Sequence, residues 1–121
     1  MDWIRIARRA AVWLFWPALA LVVWGELTPH PPHLEAEASD KFLHFIAYFG
    51  LAGIATTALG RRRALAVVAG LIALGGLLEI LQSFTGRDAE WLDEAANSLG
   101  AILGAAGGLL FLALVRQTPR A

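Results

Sequence analysis

The sequence has no cysteine and few charges. Without cysteine there is no disulfide, no thiolate nucleophile and no cysteine-ligated metal, and the redox compartment cannot be read from thiol usage. Charged residues make up 17% of the 121 residues and hydrophobic ones 58%. A soluble domain carries about 25% charged residues, so these charges are too scarce to cover a solvated surface. Disorder is excluded by the same figures, because it needs low hydrophobicity and high net charge. Formal net charge is zero, but the charges are unevenly placed.

What is abundant is apolar sequence in runs of membrane-crossing length, about 17–25 residues. Four runs qualify or come close: 10–27, 42–59, 64–83 and 95–115. Backbone groups in lipid must be satisfied within the segment, so each run is expected to be a helix. The chain is too short for an eight-stranded barrel, whose strands would also alternate with period two. The expected fold is all-α: an integral-membrane four-helix bundle forming one domain over 1–121.

The loops orient the bundle. Arg5, Arg8 and Arg9 precede the first run, Arg61, Arg62 and Arg63 join the second to the third, and Arg116 and Arg120 follow the fourth. Eight of the ten basic residues therefore share one side. The other side holds Lys41 and Arg87 among Glu26, Glu35, Glu37, Asp40, Asp88, Glu90, Asp93 and Glu94. The positive-inside rule places both termini in the cytoplasm. A cleaved signal peptide competes for residues 1–27, but Ala36-Glu37-Ala38 lies too far past the apolar run to suit a cleavage site, so the first run is expected to be retained. The prolines of Thr28-Pro29-His30-Pro31-Pro32-His33 predict an extended outer loop. Gly60–Arg63 is short enough to make the second and third spans antiparallel neighbours. Pro17 falls inside the first span, where it is expected to kink it.

Ionisable residues inside spans are rare, costly and usually functional. Here they gather near the outer surface. Asp40, His44 and Tyr48 are spaced i, i+4, i+8 and share a helix face, with Lys41 near it. His44 is about 6 Å deeper than Asp40. The structural alternative is a capping Ser39 or Asp40, a snorkelling Lys41 and an interfacial His44. Glu79, Gln82 and Ser83 close the third span; Glu79 lies among leucines and isoleucine, so it needs a partner (Lys41, His44 or Arg87) or a proton. Arg87, Asp88, Asp93 and Asn97 lead into the fourth span, where Asp93 could also serve as an N-cap. Spans two and four both start at the outer face, where helix N-termini favour anions. His44, Glu79 and Asn97 should each lie about one turn beneath that face, in a shared polar pocket opening outward. Gly100, Gly104 and Gly108 form a small-residue strip that allows close helix packing, within the chain or between copies in a homo-oligomer.

The ordered set Asp40-Lys41-x-x-His44-Phe45-x-x-Tyr48, Glu79-x-x-Gln82 and Arg87-x-x-x-x-x-Asp93-x-x-x-Asn97-x-x-Gly100 resembles the VanZ-like family of small bacterial membrane proteins. It covers about half the chain, from Asp40 to about Gly104; the first span and the tails carry no signature. The resemblance implies a four-helix protein of the bacterial inner (plasma) membrane. The founding member is associated with resistance to the glycopeptide teicoplanin, which does not supply a reaction.

The leading functional expectation is an extracytoplasmic-facing intramembrane site for an anionic envelope lipid or lipid-linked precursor. Arg87 and Lys41 would grip the headgroup, His44 and Glu79 would exchange protons in a transfer or hydrolysis step, Asp40 would orient or charge His44, Asp93 and Asn97 would order the pocket, and these three with Tyr48 and Gln82 complete the expected ligand-binding set. The outer excess of acidic residues opposes simple anion recruitment. The alternative is a non-catalytic membrane protein that binds a lipid, antibiotic or protein and alters envelope properties or glycopeptide susceptibility. A proton relay through Glu79 ranks below both, because no polar path leads to the inner face. Asp40, His44, Glu79 and Asp93 are possible ligands for a divalent ion, yet no compact spacing demands one. No metal, cofactor or nucleic-acid partner is expected.

Overall fold

The computed structural model describes residues 2–29, 37–86 and 90–119. The proline-bearing segment 30–36 and the segment 87–89, with Arg87 and Asp88, lie outside the described residues. The described residues form four long helices and no strand: α1 Trp3–Leu27, α2 Glu37–Leu59, α3 Ala64–Gln82 and α4 Trp91–Gln117, with a 3-10 turn at Arg61–Arg63. All four are long and apolar enough to cross a membrane. The fold is thus the expected all-helical four-helix architecture of a multi-pass membrane protein.

The helices extend beyond the apolar runs because polar flanks also take helical conformation. Asp2 caps α1, its carboxylate accepting the Arg5 backbone N–H at 3.2 Å. Helix α2 already starts at Glu37, so Asp40 lies within it and is not its cap. In α4 the N-cap is Glu90, with no side-chain capping bond; Asp93 sits in the first turn. Pro17 lies inside α1, which runs unbroken from Trp3 to Leu27.

The turn between α2 and α3 depends on Gly60, whose φ of 85° suits a residue without a Cβ. Arg8 of α1 donates to the carbonyls of Ala58 and Leu59 at 3.0 and 3.4 Å. This arginine satisfies the exposed carbonyl end of α2 and favours its dipole. It also places the start of α1 beside the end of α2.

The most extensive interface is between α2 and α4 rather than between chain neighbours. A Cβ on Gly100 would collide with the Phe45 carbonyl, and one on Gly104 with the Phe49 carbonyl; at Gly108 it would stand 2.8 Å from the Gly53 carbonyl. Residues 100, 104 and 108 thus climb α4 in step with 45, 49 and 53 on α2, so the two helices run parallel with touching backbones. The strip Gly100, Gly104 and Gly108 is buried against α2 of the same chain. Helix α1 packs on α2 and α3 on α4, while α2 and α3 touch less. Chain direction alternates, so the arginine-rich segments Arg5–Arg9, Arg61–Arg63 and Arg116 collect at one end.

Burial is inverted relative to a water-soluble protein. Trp13, Trp16, Leu65, Phe84 and Trp91 are exposed, whereas His44, Thr56, Glu79, Gln82, Asp93 and Asn97 are buried. Lipid accepts the former at no cost, and the latter draw their hydrogen-bond partners from within the bundle, Thr56 Oγ1 and Asp93 Oδ1 excepted. The apolar core is Tyr48, Leu51, Ala52, Ala55, Val67, Leu71, Ala101 and Ala105.

Candidate functional site

At the end of the bundle opposite the arginines, ionisable side chains from all four helices meet around His44. It is 5% exposed, one turn beyond Asp40 on α2. Its Nδ1 lies 2.9 Å from Asn97 Oδ1 of α4 and 3.2 Å from Glu26 Oε1 of α1. Both neighbours are acceptors, so Nδ1 carries a hydrogen. The Asn97 amide is oriented by its other end, where Nδ2 donates to Glu94 Oε2 at 3.4 Å. On the far side of the ring, Nε2 is 3.8 Å from Asp40 Oδ2 and 3.6 Å from Asp93 Oδ2. Those separations exceed hydrogen-bond length.

Lys41 donates to Glu90 Oε2 at 2.9 Å and stands 3.6 Å from Asp93 Oδ1. The Tyr48 hydroxyl donates to Glu26 Oε2 at 3.3 Å. The structure therefore brings Asp40, Lys41, His44, Tyr48, Asp93 and Asn97 into one network. Glu79 is buried nearby, but its described partner is neither lysine nor histidine: Oε2 accepts the Glu90 backbone N–H at 3.1 Å. That N–H is among the unsatisfied donors at the start of α4. Gln82 turns to α1, where Nε2 donates to the Glu26 carbonyl at 2.7 Å, one of the last carbonyls of that helix. Arg87 lies outside the described residues.

Two participants were missed in the sequence. Glu26, which the sequence offers only as one of the charges beyond the first run's apolar core, is 8% exposed and touches both His44 and Tyr48. Glu94 was counted as an outer-face charge, yet it reaches Asn97 and covers Gly75, where a Cβ would stand 2.5 Å from Glu94 Oε2. The available signal was depth: both lie at the ends of their helices opposite the arginines, level with His44 and Asp93.

Among the described residues, the carboxyl groups of Glu26, Asp40, Glu90 and Asp93 lie against Lys41 or His44, and those of Glu79 and Glu94 bond the Glu90 N–H and Asn97 beside them. Carboxylates this crowded and this shielded from water cannot all remain charged without compensating cations. Beside the cluster, a groove of about 330 Å³ runs between α1 and α2. Leu21, Val22, Leu43, Ile46 and Ala47 wall it, and Glu26, Asp40 and His44 form its polar part. A larger hollow of about 530 Å³ lies towards the arginine end, lined by Ala7, Leu14, Phe49, Gly107 and Phe111, with little polar surface; it holds none of the ionisable cluster. No family model, curated protein or solved structure matches the chain.

Proposed function

We propose that the chain is a VanZ-like protein of the bacterial inner membrane that binds the headgroup of an anionic envelope lipid or lipid-linked precursor at the His44 cluster. Both termini face the cytoplasm and the cluster faces outward. The observation that carries this reading is the groove between α1 and α2, in which apolar walls lead to Glu26, Asp40 and His44. Such a groove matches an amphiphile, with the acyl or prenyl chain along Leu21 and Ile46 and the headgroup beside His44. Ligand sites are typically apolar clefts with a few convergent polar groups that fix orientation.

Within this reading the residues divide their work. His44 is the group placed to pass a proton to or from the headgroup, being oriented by Asn97. Glu79, which holds the Glu90 N–H, positions the start of α4. Lys41, already paired with Glu90, supplies positive charge, and Arg87, which lies outside the described residues, is the second cation assigned to the headgroup. A second reading is a non-catalytic scaffold. It is favoured by the number of polar groups, Gln82 and Tyr48 among them, used in bonds between helices.

The test is lipid capture by the purified full chain in nanodiscs, followed by native mass spectrometry with phosphatidylglycerol and a polyprenyl phosphate as probes. Gly25 borders the groove and has no atom within 4 Å of a added Cβ, so Gly25→Leu fills the groove without disturbing the polar network. Wild type should retain a probe lipid, and Gly25→Leu should lose it while keeping its thermal stability. Equal retention by both proteins would remove the groove as the lipid site. Conversion of a bound probe to a new mass, lost in His44→Gln, would identify an enzyme; binding without conversion favours the scaffold.

A further inference from the structure

The arrangement around His44 Nε2 has a feature that lipid binding alone does not explain. Nδ1 carries its hydrogen towards Asn97 and Glu26, so in the neutral ring Nε2 presents a lone pair. This nitrogen, on a side chain more than nine-tenths buried, makes no hydrogen bond among the described residues. It points between Asp40 Oδ2 and Asp93 Oδ2, both acceptors. With the ring neutral, three electron-rich atoms converge at 3.6 and 3.8 Å from the histidine nitrogen, an arrangement that a cation bound between them stabilises.

The distances suit a metal ion. Donors each about 2.0–2.2 Å from an ion, at tetrahedral or trigonal angles, stand about 3.3–3.8 Å apart. The histidine–aspartate separations are 3.6 and 3.8 Å, and the three donor atoms lie within 4.8 Å of one another. Asp93 supports this independently. It is 3% exposed, and its second oxygen, Oδ1, has no hydrogen bond; Lys41 Nζ stands 3.6 Å away. Asn97 on the distal imidazole nitrogen is the outer support that metal-bound histidines usually have.

We propose that Asp40, His44 and Asp93 form a binding site for one divalent transition-metal ion of the zinc or manganese kind. One imidazole and two carboxylates, with no thiolate, suit such ions. Asp40 and His44 line the α1–α2 groove, so the ion's remaining positions are reached from it. Resting on the lipid reading above, the ion also explains how a carboxylate-rich floor accepts an anionic headgroup, because the metal bridges the two.

The test uses the full chain in nanodiscs, stripped with chelator and titrated with Mn²⁺ by electron paramagnetic resonance and with Co²⁺ by visible absorption. Expected are one ion per chain and Co²⁺ bands of low coordination number. Asp93→Asn, which keeps the side-chain shape, should weaken binding at least about tenfold, and Asn97→Ala about 10–100-fold through the orientation of His44. Glu90→Gln, an outer carboxylate paired with Lys41, should leave affinity unchanged. Metal should raise the melting temperature of wild type and not of Asp93→Asn. Absence of stoichiometric binding, or equal weakening by Glu90→Gln and Asp93→Asn, would overturn the site in favour of a protonated His44 or diffuse attraction to acidic groups. Repeating lipid capture with and without Mn²⁺ separates the two proposals. Metal bound without lipid removes the lipid reading alone, and lipid retention indifferent to metal removes the bridge.

Discussion

At the residue scale, the closest contacts are made by side chains that are absent or short. Gly100 and Gly104 let the α4 backbone touch the carbonyls of Phe45 and Phe49. Gly100→Ala and Gly104→Ala should each destabilise the bundle by about 1–3 kcal/mol, the range for overpacking. Gly70→Ala, where a Cβ meets nothing within 4 Å, should leave stability unchanged or slightly raised. Thermal unfolding in one detergent compares the three. The His44–Asn97 bond is a second case. Interhelical bonds in membranes average about 0.6 kcal/mol and reach about 1.7. A double-mutant cycle of His44→Ala and Asn97→Ala should return a coupling near the upper figure, because both groups are nearly buried. A coupling near zero would mean that the two side chains do not depend on each other.

At the scale of elements, the polar residues tie helix ends to neighbouring helices. Arg8 of α1 closes the end of α2, Glu79 of α3 holds an N–H at the start of α4, and Gln82 of α3 receives the end of α1. Gln82→Leu keeps much of the side-chain volume but leaves the Glu26 carbonyl without its donor. The expected cost is about 1–2 kcal/mol, localised at the end of α1. Hydrogen exchange followed by mass spectrometry should show faster exchange at residues 25–28, with α3 unchanged. Exchange raised evenly over all four helices would mean global loosening instead. The bond from Gln82 to α1 is a contact that its spacing with Glu79 along one helix could not reveal.

At the scale of the whole molecule, the separation of charge predicts orientation. The arginines of α1, of the 3-10 turn and of the end of α4 share one end of the bundle, and the described carboxylates other than Asp2 share the other. The absence of cysteine makes single-cysteine labelling clean. In intact cells Thr28→Cys should react with an impermeant maleimide, whereas Arg62→Cys and Thr118→Cys should react only after permeabilisation. The opposite pattern would invert the topology and turn the cluster towards the cytoplasm, leaving its chemistry intact.

What the sequence by itself determined was local and additive. Hydropathy summed over about 20 residues finds a helix, and the count of arginines in each loop predicts its orientation; neither depends on what lies across the bundle. The i, i+4 spacing of Asp40, His44 and Tyr48 likewise placed them on one face before any partner was known. The tertiary structure decided which faces meet. Rotation of α4 about its axis is set by glycine contacts with α2, and that rotation carries Asp93 and Asn97 to His44. Glu26 joins because α1 packs antiparallel on α2, a pairing that nothing within residues 3–27 encodes. A buried ionic cluster is a property of several helices at once, so its members are legible one by one while its composition is not.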